Sequence, residues 1–276
     1  MKDDEQRSTR EKKGWLLPYL LRLDQMFFGR WKYWFNIIEA DKIPKGPIPQ
    51  ILFKAAEEYG ERLVQKNIKE CLDRGTMKLS DPLGLFVDWI MWGFGKGDQF
   101  PSISAELDDF WYRTFNMGLF YKEPADHWGV IAMERIGKNN GHGFFPTPAN
   151  VVKMMTEMTL AGQSQEKLMR SSVMDPCCGT GIMLLYTSNH SLNLYGNDIS
   201  PLLVKMAKIN AFIYIPWLVY RPDWLTIFDK SEDNLRTIEL SAQHSLESDG
   251  HGGLSVTESQ ISKELKNELS NQEKIS

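Results

Sequence analysis

The sequence predicts an α/β protein in two parts: a mainly helical N-terminal domain, then a partial parallel sheet of the doubly wound kind. Three observations carry this expectation. Apolar and aromatic residues recur at helical spacing through the first 135 residues. After Gly137, short apolar runs alternate with helical stretches in the order β-α-β-α-β, which right-handed crossovers close into a parallel sheet. After Phe228 the apolar signal stops, and the last 48 residues contain no Phe, Trp or Tyr.

Residues 1–13, MKDDEQRSTREKK, read as a charged, flexible leader with no apolar core segment, which excludes a secretory signal. From Gly14 to Trp34 apolar and aromatic side chains crowd at helical spacing, with Pro18 and Gly29 as interruptions. An amphipathic helix is predicted over 49–74. There Ile51, Leu52, Ala55, Ala56, Tyr59, Leu63, Ile68 and Leu72 recur every three to four residues, and Gly75 is the stop. Asp81 and Pro82 suit the start of a helix over 81–95. Another is predicted over 103–119, with Phe110, Trp111, Phe115 and Leu119 on one side. The helical domain thus covers 14–136. Core packing is the default reading of its aromatics, and base stacking is the alternative. Lys12, Lys13, Arg22, Arg30 and Lys32 are read as a solvated face, with phosphate contact as the alternative.

The second part covers 137–229. A Gly/Asn/Pro loop leads into a helix beginning near Pro148, with Val151, Val152, Met154, Met155 and Met158 on its apolar side. A polar loop follows. Val173 and Met174 end a short strand, Gly179 and Gly181 make a tight turn, and Ile182 to Tyr186 start a helix. LNLYGNDIS is a second strand closing on Asp198, 201–213 a helix, and a third strand is expected near Leu218 to Tyr220. Residues 230–276 are too polar to bury the apolar area that would offset their ordering entropy, so a disordered tail is expected, with ISKELKNEL as a short marginal helix.

Net charge is −4, so a bulk basic signature of nucleic-acid binding is absent, although an acidic protein can carry a local basic face. Three cysteines, Cys71, Cys177 and Cys178, make no disulfide framework and no zinc spacing. The longest apolar stretches, near 84–94 and 211–220, are too short to span a bilayer. A cytoplasmic protein without metal is expected.

The sharpest feature is Asp175-Pro176-Cys177-Cys178-Gly179-Thr180-Gly181. A Gly-rich turn between strand and helix lets a ligand approach the backbone, and helix-start N–H groups favour an anionic group. An ordinary tight turn is the other reading of Gly-Thr-Gly alone. Asp198 lies 23 residues after Asp175, at the end of the next strand. Nucleoside sites place an acid at about this offset for ribose hydroxyls. It is alternatively a cap of the following helix, although Ser200-Pro201 already suits that start.

The wording of this motif resembles the first motif of N6-adenine DNA methyltransferases, above all the modification subunits of type I restriction systems. The upstream Gly143-Phe144-Phe145-Pro146-Thr147-Pro148 resembles that family's Phe-Phe/Tyr-Thr-Pro motif, with Pro146 as an extra residue. The resemblance covers about residues 141 to 224 and implies a partial Rossmann-like S-adenosylmethionine (SAM) methyltransferase sheet, with DNA as partner. It implies that Gly143, Phe144, Phe145, Thr147 and Pro148 line the methionine end of SAM. Asp175, Pro176, Gly179, Thr180 and Gly181 then hold its amino and carboxylate groups and the ribose. Asp198 takes the ribose hydroxyls and Ile199 lies against the adenine. Asp223, in Arg221-Pro222-Asp223-Trp224-Leu225, matches a position that contacts the adenine amino group, with Pro222 where the family has Gly.

Adenine N6 methylation needs a second constellation, because the target base leaves the stack and must be held against the methyl donor. The family supplies it from Asn/Asp-Pro-Pro-Tyr/Phe at the end of a fourth strand. No Pro-Pro dipeptide occurs in the 276 residues, so catalytic residues are not identified. The expected function is a SAM-dependent adenine-N6 methyltransferase-like protein, incomplete alone and needing a second polypeptide for the catalytic half. The alternatives are a non-catalytic SAM-binding or regulatory subunit and a truncated, inactive fragment of a restriction-modification methylase. An NAD site is disfavoured, since position 184 is Leu rather than the third Gly of Gly-x-Gly-x-x-Gly. His142, beside the loop, reads as a loop residue. Without a fourth strand the first is expected to be an exposed apolar edge.

Overall fold

A computed structural model describes residues 12–56, 62–73, 79–136, 144–223 and 225–228. Much of the expected leader, the tail, the stop at Gly75, and Gly143 and His142 lie outside the described residues.

The apolar run from Gly14 forms two helices, α1 (Leu17–Phe27) and α2 (Arg30–Ala40). Gly29 makes the break at φ 68°, a left-handed conformation that favours glycine. Pro18 lies in the first turn of α1, where its missing N–H removes no helical bond, so it interrupts nothing. The helix expected over 49–74 is shorter, beginning at α3 (Leu63–Asp73). Residues 49–56 are not helical because their backbone finds other partners. Ile51 N donates to Asn189 Oδ1 at 2.9 Å, Asn189 Nδ2 donates to Ile51 O at 2.9 Å, and Lys54 N donates to Pro124 O at 2.8 Å.

Helix α4 (Pro82–Gly93) starts where expected, with Asp81 Oδ1 accepting from Gly84 N at 2.9 Å. The helix expected over 103–119 is divided. α5 (Ala105–Thr114) ends at Phe115, whose ψ of 124° is extended, and the chain coils again as α6 (Gly118–Lys122). Then come α7 (His127–Arg135), capped by Asp126, and α8 (Ala149–Leu160). A further helix, α9 (Gln165–Arg170), stands in the predicted polar loop, capped by the hydroxyl of Ser164. Strand β1 (Ser172–Asp175), α10 (Ile182–Thr187), β2 (Asn193–Gly196) and α11 (Pro201–Tyr214) follow the predicted order. The strands run parallel, from Ser172 opposite Asn193 to Asp175 opposite Gly196.

The third strand is absent among the described residues. The short α12 (Pro216–Val219) replaces it, started by Pro216. Beyond it, the Arg221 guanidinium turns back to the start of β2 and donates to Leu192 O at 3.0 Å and Asn193 Oδ1 at 3.0 Å. The sheet described is therefore two-stranded, with β1 paired to β2 alone. Met174 of β1 is 36% exposed, and Leu194, which pairs with its neighbour Val173 and so lies on the other face, is 2% exposed.

Two compact units form. Of the described residues, the first takes 12–23, 70–73 and 79–115. Its core is aromatic, with Phe86, Trp89 and Trp111 fully buried. Their polar edges are satisfied: Trp89 Nε1 donates to Asp108 Oδ1 at 2.9 Å and Trp111 Nε1 to Cys71 O at 2.8 Å. These rings are core, not a stacking platform.

The second unit takes 24–56, 62–69, 116–136, 144–223 and 225–228, and holds both strands. Arg30, expected on a solvated or phosphate-contacting face, is fully buried at its centre. It donates to Pro49 O at 2.8 Å, Ser188 Oγ at 2.8 Å, Tyr214 O at 2.7 Å and Asn189 Oδ1. Its guanidinium also stacks over the Trp217 ring at 5.3 Å. One side chain thus links α2, the end of α10 and the end of α11.

Candidate functional site

The segment from Asp175 to Asp198 closes into one hydrogen-bonded turn at the C-terminal ends of the parallel strands. Pairing continues past β1, with Asn197 N donating to Asp175 O at 2.9 Å and Cys178 N to Asn197 O at 2.8 Å. The chain then reverses. Gly179 at φ 55° and Gly181 at φ 92° both take left-handed backbone, and Gly181 N donates to Cys178 O at 2.8 Å. A Cβ built on Gly181 meets Ala207 Cβ of α11 at 3.5 Å, so the turn lies close against that helix.

Asp198 holds this turn from the second strand. Its Oδ2 accepts from Gly179 N at 2.9 Å and its Oδ1 from Ser200 N at 2.9 Å. The helix cap of α11 is Ser200, whose hydroxyl accepts from Leu203 N at 3.4 Å. The capping alternative for Asp198 is therefore taken by another residue, and Asp198 instead bridges the two strand-end loops. Asp175 is partly buried and its Oδ1 accepts from Cys177 N at 3.1 Å. Burial first, and the nearby Asp198 carboxylate after it, raise the Asp175 carboxyl above the usual range, against the bond from Cys177. Two carboxylates at one turn favour a cation or a hydrogen-bond donor between or beside them. Burial and the same two carboxylates push the Cys178 thiol up to about 12, which leaves it a small packing residue.

Phe144 reaches the turn from the upstream loop. A Cβ built on Gly179 would stand 2.6 Å from Phe144 Cε2, so the ring lies directly on the glycine. Phe145, by contrast, is 82% exposed, and Thr147 and Pro148 are exposed. Pro176 is exposed and Ile199 is 88% exposed. Asp223 is exposed too, on a tract anchored by Arg221. The structure therefore brings together Phe144, Asp175, Gly179, Thr180, Gly181 and Asp198. It presents Phe145, Thr147, Pro148, Ile199 and Asp223 to solvent. Cys177 is an exposed free thiol. Helix α10 has only six residues, so its dipole adds little to the anion preference expected of the turn.

Beneath the turn lies a polar cluster that the sequence reading did not single out. Thr180 is 1% exposed, and its hydroxyl donates to Asp126 Oδ2 at 2.6 Å. Asn210 Nδ2 donates to Asp126 Oδ1 at 2.9 Å and to Thr180 O at 2.9 Å. The available signals were an Asp three residues before Gly129, suited to a helix cap, and a lone Asn on the apolar face of α11. Neither signal points to a distant loop.

Among the described residues no cluster of three or more His, Cys, Asp or Glu is placed to hold a metal ion, and no helix is long and apolar enough to cross a membrane. No curated protein and no solved structure matches the chain. Residues 132–215, under a third of the length, match the N-6 DNA Methylase family, and the Asp175–Asp198 turn lies inside the matched segment.

Proposed function

We propose that the turn of Phe144, Asp175, Gly179, Gly181 and Asp198 binds SAM, and that the chain supplies the cofactor-binding part of a DNA adenine-N6 methyltransferase whose base-holding residues lie outside these 276 residues. The observation that carries the reading is the Asp198 carboxylate closed on the Gly179 amide beside Asp175. The residues suit such a ligand. Gly179 offers bare backbone beneath an aromatic ring, and the paired carboxylates suit the ammonium and ribose hydroxyls that SAM carries. When bound, SAM supplies a sulfonium-activated methyl group.

Each residue then has a task. Phe144 covers the methionine end and excludes water, with Phe145, Thr147 and Pro148 from the same loop and Gly143 before it. Asp175, with Pro176 fixing its neighbour's backbone, faces the amino group. Gly179 and Gly181 let the backbone turn sharply beneath Phe144 and against α11. The hydroxyl of Thr180 is already donated to Asp126, so Thr180 contributes its backbone. Asp198 keeps lone pairs on both oxygens for ribose hydroxyls. Ile199 offers an apolar surface for the adenine and Asp223 an acceptor for its amino group. In this reading β1, α10, β2 and α11 are the opening half of a Rossmann-like sheet, and the protein works in the cytoplasm on DNA.

Transfer chemistry needs both reactants held in line, and these 276 residues contain no Asn/Asp-Pro-Pro-Tyr/Phe tract. Incubation of the purified chain with methyl-labelled SAM and unmethylated DNA tests the division of labour. No incorporation by the chain alone is expected. Incorporation that disappears in Asp175→Ala would show that these residues hold the base themselves and would overturn that part of the reading.

A further inference from the structure

We propose that Asp126, at the start of α7, is a positioning residue for the ligand turn: it sets the Thr180 side chain and so holds Gly179–Gly181 in the binding shape. The inference rests on the cofactor reading of that turn. It adds a residue that lies upstream of the family-matched segment, which begins at 132.

Asp126 is 4% exposed and takes three hydrogen bonds from three elements. Gly129 N donates to its Oδ1 at 3.0 Å, within α7. Asn210 Nδ2, from α11, donates to the same oxygen at 2.9 Å, and Thr180 Oγ1, from the turn, donates to Oδ2 at 2.6 Å. Asn210 also donates to Thr180 O at 2.9 Å, so Thr180 is gripped at its hydroxyl and at its carbonyl. Bonds to a buried carboxylate are among the stronger ones, and a buried donor left without its acceptor is costly. The residue gripped in this way sits between two left-handed glycines, the least restrained backbone type. Asp198 anchors the turn at Gly179 N and Cys178 O accepts from Gly181 N, so the grip on Thr180 adds the side-chain restraint at the residue between them.

Gly129 makes the approach close enough. A Cβ built there would stand 2.4 Å from Asp126 Oδ2 and 3.2 Å from Thr180 Oγ1. Alanine at 129 favours the helix intrinsically, yet it would press on the carboxylate and the hydroxyl that must meet.

The test uses the full chain and two readouts: amide hydrogen exchange over 176–184 without ligand, and titration with S-adenosylhomocysteine well below the melting temperature. Asp126→Ala and Gly129→Ala are expected to speed exchange in that segment and weaken binding by about tenfold, the effect of one lost charge-assisted bond. Asp126→Asn keeps an acceptor for Gly129 and Asn210 and offers an amide to the Thr180 hydroxyl, so it should stay close to wild type. Thr180→Val, which keeps the shape without the hydroxyl, should match Asp126→Ala, and the double variant should be no weaker than either. If Asp126→Ala does not fold, Thr180→Val and Gly129→Ala decide. Unchanged exchange in these variants overturns the grip, and faster exchange with unchanged affinity overturns its role in binding. A wild-type chain that binds no S-adenosylhomocysteine sinks the cofactor reading and with it the positioning role, while the exchange arm still decides whether Asp126 holds the turn.

Discussion

The ring of Phe144 lies on the bare backbone of Gly179, so close that a Cβ there would come within 2.6 Å of it. The two residues are 35 positions apart, and their contact joins the upstream Phe-Phe-Pro-Thr-Pro loop to the Gly-Thr-Gly turn.

Gly179→Ala should therefore meet two penalties. Left-handed backbone at φ 55° strains any side chain, and the methyl group collides with the ring. A loss of about 1–3 kcal/mol is expected from such a position. In the background of Phe144→Ala the same change should cost less, because only the backbone strain remains. Urea midpoints of the four proteins measure this. Additive costs would show that ring and glycine do not touch.

Removing the Asp198 carboxylate leaves the amides of Gly179 and Ser200 without their acceptor. Asp198→Ala should lose about 1–3 kcal/mol of stability. Asp198→Asn, with one acceptor oxygen left, should fall between it and wild type in denaturant unfolding.

Arg30 has four acceptors and no exposure. Arg30→Met leaves buried carbonyls such as Tyr214 O without their donor, and a loss of about 1–3 kcal/mol for each group so stranded is expected. Arg30→Lys should rescue little, since an ammonium cannot span the fork of acceptors or stack on Trp217. Equal stability of the lysine variant and wild type, by thermal unfolding, would contradict the hub.

His127 is fully buried, and burial lowers its imidazole to about 4, although Nε2 hydrogen-bonds Glu123 O at 2.6 Å. The folded protein keeps the ring neutral where the unfolded chain protonates it. Its contribution is intact above the usual pKa of about 6.5 and is lost as pH falls toward 4. The loss should be on the order of 3 kcal/mol. His127→Gln should flatten the pH dependence of the urea midpoint over that window, and an unchanged slope would assign the acid sensitivity elsewhere.

The sequence showed what local chemistry determines. Asp81-Pro82, Ser200-Pro201 and the paired glycines start or turn elements through bonds a few residues long, and each does so in the structure. The failures came where distant groups competed. Ile51 looked helical by spacing, but the Asn189 side chain takes both its backbone groups. The Leu218–Tyr220 strand lost to Pro216, and Arg221 turned back onto β2. Arg30 looked like a surface cation because its acceptors, at Pro49, Ser188, Asn189 and Tyr214, are scattered over 165 residues of sequence. Within the candidate turn, the meeting of Asp175, Gly179 and Asp198 was readable from motif and offset. Asp126 was not, since nothing in Asp-His-Trp-Gly specifies Thr180 as its partner.

Calorimetric titration of the purified chain with S-adenosylhomocysteine, alongside Asp198→Ala, tests the central claim most directly. Saturable binding at one site per chain, weakened at least tenfold in the variant, is the predicted result. A folded wild-type chain that takes up no ligand, or a variant that binds as well as wild type, would contradict the assignment of this turn to the cofactor.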